Sequence, residues 1–196
     1  MNIRSNILFL CLLLTPTVCV QKQMRDFIKT MPDTLLPYLD ASKRTELIDF
    51  YHMGVEAKTA NKFGGETVLD TLAAHYATLQ LNESSTLQLL LLPQESPDTL
   101  ICAVQTYLGE APESTVSFYT SQWRRLDASA YLPALSPMAL VERPDTMSVE
   151  QYDAVLKTLD PAMLEARLAP DSTLTFTVSN PDSTATVSFF CLKLEE

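Results

Sequence analysis

The chain has 196 residues, 14 basic against 24 acidic side chains, a formal charge of -10 and a pI near 4.6. With 46% hydrophobic and only 19% charged residues it can bury a real core, as one globular domain or two small ones, which excludes global disorder. The acidic balance argues against nucleic acid, whose phosphates need clustered Lys and Arg, and the four glycines, at 54, 64, 65 and 109, exclude glycine-rich nucleotide loops and a G-x-S-x-G elbow.

The N-terminus carries Arg4, then the apolar run Ile7 to Leu14, then the breakers Thr15, Pro16 and Thr17. Thr17-Val18-Cys19 places small side chains at the recognition positions of a signal-peptidase site. The pattern predicts a signal peptide over residues 1–19 and export to the periplasm or cell surface. The run is far short of the ~20 residues that cross a bilayer, so no transmembrane segment is expected after its removal. A lipid anchor on Cys19 is the rival reading, opposed by Val18 where Gly, Ala or Ser is usual. Cleavage removes Arg4 and no acid, leaving a net charge of about -11. Cys102 and Cys191 remain. In an oxidising compartment they form either a disulfide or two buried thiols that pack as small hydrophobes.

Met24, Phe27, Ile28 and Met31 fall at helical spacing until Pro32 stops the run, and Leu35 to Leu39 make a further turn or two. Ser42 is the expected cap of a helix over about 43–58, with Leu47, Ile48, Tyr51 and Val55 as its stripe. Gly64-Gly65 is expected to end that helical region. The period then changes to two. Residues 77–81 and 86–90 read as strands around a hairpin loop at 82–85, and 99–108 and 114–121 as two more, giving a four-stranded antiparallel meander. Residues 127–147 are Pro-rich and irregular. Ser148 caps a helix to about Thr158, and 174–179 with 185–194 form a terminal hairpin.

The fold class is therefore α+β, an antiparallel sheet with helices packed on one face, with two helix-plus-sheet units as the alternative. The expected divisions are 20–126, a connection over 127–147, and 148–196, which packs with the first as one domain or stands apart. Leu81 to Leu89 echoes Leu168 to Phe176, and Thr115 to Tyr119 echoes Thr186 to Phe190. The offsets differ, 87 against 71, so no strict tandem repeat exists.

Met31-Pro32-Asp33-Thr34-Leu35-Leu36-Pro37-Tyr38-Leu39, then Leu47-Ile48-Asp49-Phe50, Gly64-Gly65, Ser84-Ser85-Thr86-Leu87, Leu91-Leu92-Pro93 and Phe118-Tyr119 before Trp123 form an ordered signature. It resembles a Bacteroidetes family of small exported proteins that carry a domain of unknown function. The resemblance implies an α+β fold and a periplasmic or surface location, and no activity.

Pro-Asp-Ser/Thr recurs at Pro32, Pro97, Pro144, Pro170 and Pro181, and Asp70-Thr71 adds a related pair. Proline presets φ and Asp bonds the backbone ahead, so turn chemistry explains the recurrence. The resemblance adds a second layer, because exported proteins of that group are O-glycosylated at Asp-Ser/Thr-apolar sites. It implies Thr34, Thr99, Thr146, Ser172 and Ser183 as acceptors.

Catalytic material is thin. His52 and His75 belong to no metal-ligand spacing, and no metal or cofactor is expected. Glu110 with Glu113, and Glu142 with Asp145, are the acid pairs available for glycoside hydrolysis, which needs two carboxyls roughly 5–10 Å apart with one pKa raised. Trp123-Arg124-Arg125, with Tyr119 nearby, is the concentrated aromatic and basic spot, of the residue types enriched at binding hot spots. Its structural alternative is a packed strand end. The residues favour a non-enzymatic binding module for an unidentified protein, ligand or envelope component over a small acid-dependent hydrolase of glycan or peptidoglycan.

Overall fold

The computed structural model describes residues 22–93, 99–133, 141, 143, 145–180 and 186–194, with backbone alone at 93 and 186–193. Helices α1 (Met24–Thr30) and α2 (Ala41–His52) precede β1 (Lys58–Ala60), β2 (Glu66–Leu72), β3 (Tyr76–Asn82), β4 (Ser85–Pro93), β5 (Thr99–Tyr107), β6 (Glu113–Tyr119) and β7 (Arg125–Leu126). A short 3-10 turn (Ala128–Ala130), α3 (Val149–Thr158), β8 (Met163–Leu168), β9 (Thr173–Ser179) and β10 (Thr186–Lys193) follow. Strands β1 to β7 pair in chain order as one antiparallel sheet, and β10-β9-β8 form a second.

The α+β expectation holds, with helices on one face of the large sheet. Met24, Phe27, Ile28, Leu47 and Ile48 pack there on Leu79, Leu81, Leu87, Leu89 and Ile101. The opposite face carries Tyr76, Leu90, Leu92, Cys102, Val104 and Phe118, which meet Ala166, Leu168, Leu174 and Phe176 of the small sheet. Strand β4 is thus covered on both faces, which explains why Leu89 to Leu92 lose the alternation of a half-exposed strand. Helix α3 adds a satellite cluster in which Leu159 meets Val178.

The helix boundaries differ from expectation. Asp40, not Ser42, caps α2, its carboxylate accepting from the Lys43 N–H at 2.9 Å. The helix stops at His52 because Gly54 takes φ +69°, which leaves Val55 exposed. Gly64-Gly65 does not end a helix. It closes the β1–β2 hairpin, with Gly64 at φ +83°. The meander therefore has seven strands, not four. The Asn82–Ser85 loop is tighter than expected, since those two residues pair across it. Ser148 caps α3 as expected, with Gln151 completing a capping box.

Residues 163–168, to which the sequence analysis assigns no element, form β8. Its Leu164, Ala166 and Leu168 alternate with Glu165 and Arg167, the period-two signal that marks it. The first half of the internal echo now has a structural meaning, because it aligns the β3–β4 and β8–β9 hairpins. The second half does not. Strand β6 pairs with β5, whereas β10 pairs directly with β9.

Candidate functional site

Trp123 is buried, 7% exposed, and packs on Tyr119 at a ring separation of 5.7 Å in the helix-side core. It occupies the left-handed position, φ +61°, of the turn between β6 and β7, where glycine is usual, and its indole N–H has no partner among the described residues. Arg124 and Arg125 are exposed, with Arg125 paired in register to Tyr119. The spot is a packed strand end carrying two solvated guanidinium groups.

Glu110 and Glu113 are exposed at the β5–β6 connection, and Asp145 is exposed, while Glu142 lies outside the described residues. Nothing described shields any of these three carboxyls, as a general acid requires. Cys102 is a free, buried thiol whose pKa burial pushes up to about 12, the opposite of an activated nucleophile. Cys191 lies in β10 opposite Thr175, and its side chain is outside the described residues. No group of three His, Cys, Asp or Glu side chains that could hold a metal occurs among the described residues. No described helix is long and apolar enough to cross a membrane.

The proposed acceptors scatter. Thr34 and Thr146 are exposed, Thr99 and Ser172 half-buried, and Ser183 lies outside the described residues. Asp33, beside Thr34, has a structural task. Its carboxylate accepts from the Arg44 guanidinium at 2.8 Å, with Lys62 at 3.5 Å, and the Arg44 hydrogen bond holds its pKa below the ordinary range. Arg44 is buried and also donates to the Leu39 carbonyl at 2.8 Å. The Met31 to Leu39 signature is thus a loop wrapped around a buried guanidinium.

Thr99 and Ser172 both line a cleft at one end of the sandwich. It lies between the two sheets and has a volume of about 500 Å³. Exposed Lys22 and His75 border it, and buried Leu92 and Leu194 form its apolar part. The His75 Nε2 donates to the Pro170 carbonyl at 3.1 Å, tying the β2–β3 turn to the β8–β9 turn across the mouth. Ser172 holds the latter turn in the left-handed region at φ +68°. Contacts separated by some ninety positions assemble this site, and no local motif announces it.

A seven-stranded sheet roofed by helices on one face and by a small second sheet on the other, with a cleft at the seam, defines an α+β sandwich. Residues 17–188 match the family described as "Protein of unknown function (DUF3256)", and the chain belongs to that family. A solved domain of an uncharacterized protein from Porphyromonas gingivalis W83 shares the fold. It has a TM-score of 0.68 and 19% identity over 88% of this chain and 93% of that one. No curated protein matches the sequence.

Proposed function

We propose that the chain is an exported, non-enzymatic binding module of the cell envelope, acting in the periplasm or at the cell surface. The leader over residues 1–19 supports export. The cleft between the sheets carries the binding reading. It falls in the size range of small-ligand sites, and it sets apolar Leu92 and Leu194 against a few convergent polar groups from Lys22, His75, Thr99 and Ser172. That arrangement suits a small ligand with an apolar body and a polar head. The exposed, unshielded Glu110, Glu113 and Asp145 favour binding over acid-dependent hydrolysis.

A fragment screen by ligand-observed NMR tests this, with Thr99→Trp as the comparison because an indole there fills the cleft. Fragments held by the parent protein and released by Thr99→Trp are the expected result. Hits that bind both proteins equally lie elsewhere and defeat the cleft reading. Conversion of a bound compound to product would replace it with a catalytic one.

A further inference from the structure

A second surface lies at the opposite end of the large sheet. The β1–β2, β3–β4 and β5–β6 turns all gather there. The small sheet rests chiefly on β4, β5 and β6 and meets β3 at Tyr76, at the far end of that strand from Gln80. Register carries one row of side chains straight across this face. Lys58 pairs with Val68, Val68 with Gln80, and Gln80 with Thr86, while the next two positions, buried Thr106 and Ser114, which bonds Ala166, lie under the small sheet. Beyond Lys58 and Val68 the row is uncharged and hydrogen-bonding. Gln80 is half-buried and makes no side-chain hydrogen bond among the described residues.

Phe63 stands in the β1–β2 turn at this end of the sheet. It is 69% exposed, yet it is held in place. Its ring meets Tyr38 edge-on at 5.1 Å, and the Tyr38 hydroxyl accepts from the Asn82 amide at 3.2 Å. The Asn61 side-chain oxygen accepts from the Phe63 N–H at 2.9 Å and from the Gly65 N–H at 3.1 Å, while its amide donates to the Leu81 carbonyl at 3.2 Å. An apolar ring fixed in water by a dedicated clamp contributes little burial. Its rigidity lowers the entropy cost of stacking a ligand on it. Between the ring and the row lies a shallow groove of about 670 Å³, lined also by Glu83 and Ser84.

We propose that this groove binds a neutral oligosaccharide, with one pyranose stacked on Phe63 and the next laid along Val68 and Gln80. The C–H face of a pyranose is apolar and weakly positive, and it complements the negative face of an aromatic ring. Its equatorial hydroxyls are donors and acceptors together, and an unpaired carboxamide answers both. Strands spaced by about 4.8 Å present a fresh polar group at intervals suited to successive sugar rings. Glu83 at the rim, in a chain of charge -10, repels acidic glycans, while Glu66 is paired with Lys58 at 3.2 Å. The groove offers one apolar ring, not the contiguous apolar patch of a protein-docking surface. This site is separate from the inter-sheet cleft.

The test is titration of the purified protein with chitotetraose and cellotetraose by calorimetry, with tetragalacturonate as the acidic comparison. Saturable binding of a neutral tetramer is expected, about tenfold weaker in Phe63→Ala, the loss of one stacked ring. Met53→Ala removes an equally exposed side chain outside the groove and leaves the affinity unchanged. Gln80→Ala weakens binding with an unaltered melting temperature. Absence of saturable binding by both neutral tetramers overturns the proposal. So does equal affinity of Phe63→Ala and the parent, or binding of tetragalacturonate as tight as that of the neutral sugars.

Discussion

The Gln88 side chain closes two hydrogen bonds with the main chain of Leu168. Its amide nitrogen donates to the Leu168 carbonyl at 3.0 Å, and its amide oxygen accepts from the Leu168 N–H at 3.1 Å. A strand at the edge of a sheet exposes a row of unpaired N–H and C=O groups. Here β8 is such a strand, and it lies against the large sheet, whose side chains complete its bonding. Ser114 repeats the device one pair along, accepting from the Ala166 N–H at 2.9 Å and reaching the Ala166 carbonyl at 3.4 Å. The Tyr76 hydroxyl donates to Leu168 O at 3.1 Å and itself accepts from Gln88 and Thr78. The two sheets are thus joined by directional polar bonds as well as by the apolar seam.

Gln88→Ala leaves both main-chain groups of Leu168 with fewer partners inside the seam. The expected loss is about 1–3 kcal/mol of unfolding free energy, measured by urea denaturation. Ser114→Ala should lose a similar amount. Thr86→Ala, on the same strand but without such a bond, should stay within about 0.5 kcal/mol.

Arg44 and Asp33 predict an acid limb of stability. The Arg44 hydrogen bond lowers the folded pKa of Asp33 below its ordinary 3.8. Glu46 is lowered likewise, first by its hydrogen bond from Lys43, below an ordinary 4.5. A depressed carboxylate stabilises the fold above its unfolded pKa and loses that contribution as pH falls through the folded value. The melting temperature should therefore decline as pH drops through and below the 3.8 to 4.5 range. Asp70, raised by burial, opposes part of this decline. Asp33→Asn should lower stability at pH 7 and flatten the acid limb, because the buried guanidinium then lacks its counter-charge at every pH.

The legible part of this fold was local. Strand β3 and the first half of β4 alternate, and turn-forming connections punctuate residues 76–119, so β3 to β6 follow from period and punctuation. Strands β1 and β2 did not, because Lys58 to Ala60 is only three residues and Gly64-Gly65 serves a helix end as well as a hairpin. Asp40 and Ser42 are both cap-competent, and only the backbone angles of Asp40 decide between them. The cleft was illegible for another reason. His75 and Pro170 come together only when the second sheet docks on the first, and nothing near either residue encodes that docking.

Trp123 is the one tryptophan, and it is buried against Tyr119. Its fluorescence should be blue-shifted in the native state and move red on unfolding, reporting the helix-side core directly. Trp123→Ala should cost about 3–5 kcal/mol, the usual loss for a buried indole, read from the same urea curves. Arg124→Ala and Arg125→Ala should each change stability by about 0.5 kcal/mol or less, since both side chains are solvated.

Cys102 supplies the last prediction. Its thiol is wholly buried between the sheets, with Leu90 paired beside it on one side and Phe118 on the other. With a pKa near 12, above an ordinary 9.0, almost none of it is thiolate at pH 8, and the thiolate is the species that alkylates. Iodoacetamide at pH 8 should leave Cys102 unmodified in the native protein and label it fully in urea, as read by peptide mass spectrometry. The rate of native labelling should follow the unfolding equilibrium, so Gln88→Ala should accelerate it by the factor its stability loss dictates, about tenfold for each 1.4 kcal/mol. Rapid labelling of Cys102 in the folded parent protein would mean that the seam between the sheets opens without global unfolding.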